Sequence, residues 1–146
     1  MSFKSIIVRL YYMLIHSDGK VNAGEIALGK RMMEAENIGE DEFDRLMAAL
    51  QERDLAAIYK ECITELKRLP AALQIRAIAW LCVLANADGF MDRSEWQFIY
   101  KIYHKELKLP LDNVMALQKE LSRKVSTSVV NQITTPVTGT PRLALF

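Results

Sequence analysis

Apolar residues recur at helical spacing along almost the whole chain, and seven such stretches can be told apart. Phe3, Ile6, Ile7, Leu10, Tyr11 and Leu14 return every three or four residues, which places one apolar stripe on a first helix. A second stretch carries Ile26, Leu28, Met32 and Met33 and ends near Asn37; Phe43, Leu46, Met47 and Leu50 mark a shorter third. Leu55, Ile58, Tyr59, Cys62, Ile63, Leu66 and Leu69 make a fourth, after which Pro70 must break the helix or open the next one. The fifth, from about Ala71 to Ala87, is apolar nearly all round, as expected of a helix running through the centre of a bundle. Trp96, Phe98, Ile99, Ile102 and Tyr103 line a sixth; Val114, Leu117, Leu121 and Val125 line a seventh, introduced by Pro110 and Asp112. No alternation of period two precedes residue 125. The pattern predicts an all-α, single-domain bundle of about seven helices over residues 1–125.

From Ser126 to Phe146 the character changes. Ser and Thr rise, Pro136, Gly139 and Pro141 appear, and charge nearly vanishes, which reads as a tail and not as another helix. Val129, Val130, Ile133, Val137, Leu143, Leu145 and Phe146 give it enough apolar surface to dock on the domain or on a partner.

The chain repeats itself. Leu14-Ile15-His16-Ser17-Asp18-Gly19-Lys20-Val21-Asn22-Ala23-Gly24-Glu25 returns seventy positions later as Leu84-Ala85-Asn86-Ala87-Asp88-Gly89-Phe90-Met91-Asp92-Arg93-Ser94-Glu95. Ile38-Gly39, Asp41, Leu46 and Leu50 reappear, one residue out of step, as Leu109-Pro110, Asp112, Leu117 and Leu121. An internally duplicated helical module follows as the organising hypothesis.

Helix punctuation accounts for most of the repeated segment. Gly19 and Gly89 suit the left-handed residue that stops a helix. Asn22 and Asp92 suit the N-cap of the next helix, with Glu25 and Glu95 completing a capping box and Val21 and Met91 acting as staples. Asp18 and Asp88 are different, because a carboxylate at the C-terminal end of a helix faces the negative pole of its dipole, at a cost of roughly 0.3–1 kcal/mol. A neighbouring helix N-terminus or a bound cation would offset that cost. If the two hairpins pack together, Asp18, Asn22, Glu25, Asp88, Asp92 and Glu95 gather five carboxylates and one amide, whose mutual repulsion calls for metal, protons or helix N-termini. The spacing is not that of an EF-hand, where the loop glutamate falls at position 12 and Gly does not follow the first Asp directly. A metal would be held across elements.

The paired helix-Asp-Gly-x-apolar-[Asp/Asn]-x-x-Glu segments, about seventy residues apart in an all-helical chain of this size, resemble the TerB-like family, named for tellurite resistance, whose domain also occurs beside J-domains in membrane co-chaperones. The resemblance covers about residues 3 to 125 and leaves the tail unmatched. It implies an all-α TerB-like fold and a metal-ion site built from Asp18, Asn22 and Glu25 of the first motif and Asp88, Asp92 and Glu95 of the second. Asn22 departs from the more acidic family pattern, so the first half-site brings less charge.

Composition narrows the classes further. Nineteen basic and eighteen acidic residues leave a formal charge of +1, which gives no overall footprint of a nucleic-acid binder. Lys67, Arg68 and Arg76, and Lys101, Lys105 and Lys108, form modest basic faces of the kind that are usually solvated. Cys62 and Cys82 lie in apolar helical runs without a CxxC spacing or histidine neighbours, as buried free thiols in a reducing cytoplasm do. No apolar run reaches the ~18 residues of a membrane span. His16 has Asn86 as its counterpart and His104 reads as a surface or helix-end histidine, so neither suggests a ligand or a nucleophile's base. No phosphate-binding glycine loop occurs.

The expectation is a non-enzymatic cytoplasmic module that binds a divalent ion, with calcium or magnesium favoured by the all-oxygen donor set, and that acts in a stress response such as that to tellurite. A protein partner or self-association is expected; nucleic acid is not. The alternative is a structural protein-interaction domain in which the same acids only cap helices. A metal-dependent enzyme would need an open coordination position beside a pocket with an acid or base, and no such set shows in the sequence.

Overall fold

A computed structural model describes residues 2–17, 23–87 and 92–134, with side chains through residue 125. Its helices are α1 (Phe3–Ile15), α2 (Ala23–Ala35), α3 (Glu40–Gln51), α4 (Leu55–Lys67), α5 (Ala71–Ala85), α6 (Arg93–Tyr100) and α7 (Leu111–Thr134), and α6 runs on into a π turn, Lys101–Glu106. No strand occurs among the described residues. The all-α bundle expected from the apolar periodicity is the fold observed.

Local chemistry explains the boundaries. The Ser2 and Asp54 side chains accept from the backbone N–H groups of Ser5 and Ala57, 3.2 and 3.3 Å away, and so satisfy donors at the starts of α1 and α4. Pro70 sits at the N-cap of α5, where its missing N–H costs nothing. α2 stops at Ala35, earlier than the apolar pattern suggested, because Asn37 turns left-handed (φ 58°). The Ile38 and Asn37 N–H groups then donate back to the Met33 and Glu34 carbonyls at 2.8 and 3.1 Å, a Schellman closure that buries Ile38.

α5 forms the centre. It packs against α1, α2, α6 and α7, and α1 packs in turn on α3 and α4. Every residue from Ala77 to Ala85 is buried, with Trp80 wholly so, which is why this helix shows no polar face in sequence. α7 extends to Thr134, nine residues into the stretch that composition marked as a tail. Ser and Thr weaken a helix only slightly, and no Gly or Pro stands before Pro136 to end it. Residues 135–146 lie outside the described residues.

The π turn carries one residue more than an α-helix of the same span, and the Leu107 N–H donates to the Ile102 carbonyl five residues back, at 2.9 Å. Lys108 follows with φ 55°, and the Leu109 N–H closes on the Tyr103 carbonyl at 2.8 Å. Leu109 thereby repeats the role of Ile38, and the extra residue matches the single step by which the second sequence echo falls behind the first.

Candidate metal centre

Six residues were singled out by the repeated motif, and the described structure places three of them. Glu25 is the third residue of α2 and Glu95 the third of α6. Both are buried, at 2 % and 5 % exposure, and they are the only charged side chains buried among the described residues. The first turn of a helix is where a carboxylate is best tolerated, because the unsatisfied N–H groups and the positive dipole end face it. Asp92 is the N-cap of α6. Its Oδ2 accepts from the Ser94 N–H at 3.0 Å, while its carbonyl accepts from the Trp96 N–H at 2.9 Å, as the capping reading expected. Asp18, Asn22 and Asp88 lie outside the described residues, as do Gly19, Gly89, Val21 and Met91. Among the described residues no three acidic, histidine or cysteine side chains converge closely enough to hold an ion.

What surrounds Glu25 is specific. A Cβ added to Gly29, one turn along α2, would lie 2.6 Å from Tyr11 Cε1 and 2.8 Å from its hydroxyl oxygen, so the phenol of α1 rests on the bare backbone of α2. Burial raises the Tyr11 pKa, and the negative charge of Glu25 raises it further. The phenol therefore stays protonated beside the carboxylate at neutral pH. Tyr11 also meets the Phe43 ring at 5.9 Å, which fixes it from the α3 side.

The donor set can be judged by its chemistry. The motif offers oxygen atoms only, which suits hard cations such as calcium or magnesium and not the sulfur and nitrogen preference of zinc. The two thiols supply no alternative: Cys62 and Cys82 are buried and unbonded to each other, and burial pushes both thiols up to about 12. His16 caps the C-terminus of α1, exposed, with its ring 4.4 Å from that of Tyr12. His104 is exposed on the π turn and stacks on Tyr100 at 4.7 Å.

Two features outside the repeated motif were not legible in the sequence. Glu36 and Glu106 each close a hairpin by binding a helix of a neighbouring element. Glu36 Oε2 accepts from Arg76 Nε at 2.6 Å and from Trp80 Nε1 at 2.7 Å, both on α5. Glu106 accepts from the Tyr59 hydroxyl at 2.9 Å and pairs with Lys67 Nζ at 3.4 Å, both on α4. Arg76, Lys67 and also Arg68, which pairs with Glu65 at 2.9 Å, are thus engaged cations and not an idle basic face. A lone glutamate in a polar helix end gives no sequence signal of such a role. The second feature is an open groove of 590 Å³ where the ends of α1 and α4 meet α6, with Met13, Leu55, Tyr59 and Phe98 as its apolar part, the His16 ring at its border and Lys101 as its cation. Ser17 and Ser94, neighbours of the two acidic corners, also border it.

Residues 5–119 match the model of the family described as tellurite resistance protein TerB, a span that includes both acidic motifs and ends within α7. No curated protein and no solved structure matches the chain.

Proposed function

From the premise that this chain belongs to the TerB family, we propose that it is a non-enzymatic module that binds a divalent cation, calcium or magnesium, through oxygens of Asp18, Asn22, Glu25, Asp88, Asp92 and Glu95, and that it serves a cytoplasmic response to tellurite or related stress by engaging a protein partner. One observation supports the reading above all. The only buried charged side chains among the described residues are the corresponding glutamates of the two motifs, seven positions after each Asp of Asp-Gly. A carboxylate withdrawn from water costs several kcal/mol unless helix N–H groups, a partner or an ion repay it. That the same costly choice is made twice, at matched positions, is what a shared site would require. In the bound state the ion would supply the positive charge that permits the remaining carboxylates to approach one another.

Thermal unfolding of the full chain tests this, in Ca²⁺, Mg²⁺, Mn²⁺ and Zn²⁺ and in chelator. A cation that binds the folded state alone adds about 2.7 kcal/mol at a hundredfold excess over its Kd, a rise of several degrees in Tm. Asp88→Asn should abolish the rise. No shift with any of the four ions would remove the proposal.

The hydrogen bond from the Ser94 N–H to Asp92 favours a second reading for that residue, in which it only caps α6 and the module is a plain interaction scaffold. Asp92→Ala should then lower stability by about 0.5–2 kcal/mol by an equal amount with and without ion. A loss confined to the ion-loaded protein would assign Asp92 to the metal.

A further inference from the structure

The groove between α1, α4 and α6 has a chemistry of its own, independent of the acidic corners. Its 590 Å³ falls within the range of sites for small organic ligands, about 300–1,000 Å³. Met13, Leu55 and Phe98 give it an apolar wall, and Leu55 is 44 % exposed, an uncovered aliphatic side chain at the rim. Among the described residues no Asp or Glu lines it, in a chain with eighteen acids. Lys101 is the lining ammonium. It makes no ion pair among the described residues and is held with Nζ 4.6 Å above the Tyr59 ring.

Among the described residues, three carboxylates close in sequence to its lining are directed elsewhere. Glu106, on the same π turn, is taken up by Tyr59 and Lys67; Asp54 faces the Ala57 N–H and Asp92 the Ser94 N–H. An ammonium positioned over an aromatic ring at the edge of an apolar wall has one kind of complement: a hydrocarbon body that ends in an anion. A single cation selects a single negative charge.

We propose that this groove binds an apolar monocarboxylate, with its hydrocarbon against Met13, Leu55 and Phe98 and its carboxylate on Lys101; a medium-chain fatty acid is the simplest such ligand. Its lining shares no residue with the proposed ion ligands, so its occupancy does not depend on an ion.

Calorimetric titration of the full chain with laurate, below its micelle concentration and in the presence of chelator, tests the proposal. Saturable one-to-one binding is expected. Lys101→Gln and Leu55→Ser alter exposed side chains and leave the melting temperature in place. Each should weaken laurate binding, Lys101→Gln by about tenfold, the scale of one charge-assisted hydrogen bond. Dodecyltrimethylammonium, with the same chain and the opposite charge, should bind far more weakly. Equal or tighter binding of the cationic amphiphile, indifference to Lys101→Gln, loss of laurate binding in chelator, or a saturable response to an amphipathic peptide with none to laurate would each overturn it.

Discussion

The hairpin of α1 and α2 and that of α5, α6 and the π turn carry related sequences but solve their packing differently. Tyr11, seven residues before Asp18, lies on Gly29, eleven residues after it. The corresponding positions around Asp88 are Leu81 and Ile99, both buried. One hairpin pairs a very large side chain with none; the other uses two of middle size. Closure differs in the same way. Glu36 is drawn nearly out of water against Arg76 and Trp80, with side-chain exposures of 11 % and 29 % for the ion pair, whereas Glu106 and Lys67 remain at 26 % and 52 %. The left-handed stops also differ, Asn37 in one and Lys108 in the other, after a π turn that adds one residue. What both hairpins keep is the buried glutamate at the start of the second helix. Volume and closure differ between the two hairpins around a charge that is the same in both.

The strongest way to break this comparison is to place one hairpin's solution in the other. Gly29→Ile alone drives a branched side chain into the Tyr11 ring and should cost about 3 kcal/mol, at the upper end of overpacking. Adding Tyr11→Leu installs residues like those at the matching positions of the second hairpin, so the double variant should melt closer to the parent than Gly29→Ile does. If the two effects simply add, the positions are not equivalent. Next in size, Glu36→Ala strands the Trp80 N–H and the Arg76 guanidinium and should cost about 2–3 kcal/mol; Glu106→Ala, in a wetter setting, should cost about 1 kcal/mol. Denaturant unfolding measures both, and equal losses would contradict the contrast drawn from exposure. The smallest effect concerns the stops. A lysine in the left-handed region is strained and an asparagine much less so, so Lys108→Gly should raise stability by about 0.5 kcal/mol while Asn37→Gly leaves it unchanged.

These contrasts also set what is legible in the sequence. Apolar periodicity located the seven helices among the described residues because each buries a stripe against the same core, and α5 stood out because it is buried on every side from Ala77 to Ala85. Asp92 was legible as a cap because capping depends on neighbours in sequence. Helix ends were less so: the pattern ran on to Asn37 since left-handed closure leaves apolar residues such as Ile38 inside the core, and the change of composition at Ser126 did not stop α7, since weak propensity is not a helix breaker. Glu36, Glu106 and the groove depend on contacts between distant helices, which spacing along one helix cannot encode. The sequence marks Glu25 and Glu95 by their recurrence and carries no signal of their burial.

The central claim is that those two glutamates serve one ion. Calorimetric titration of the chelator-treated chain with calcium and with magnesium, on the parent and on Glu25→Gln and Glu95→Gln separately, tests it most directly. A single ion per chain, lost in either variant, is the expected result. Two ions per chain, each lost in only one variant, or binding that survives both substitutions, would contradict it.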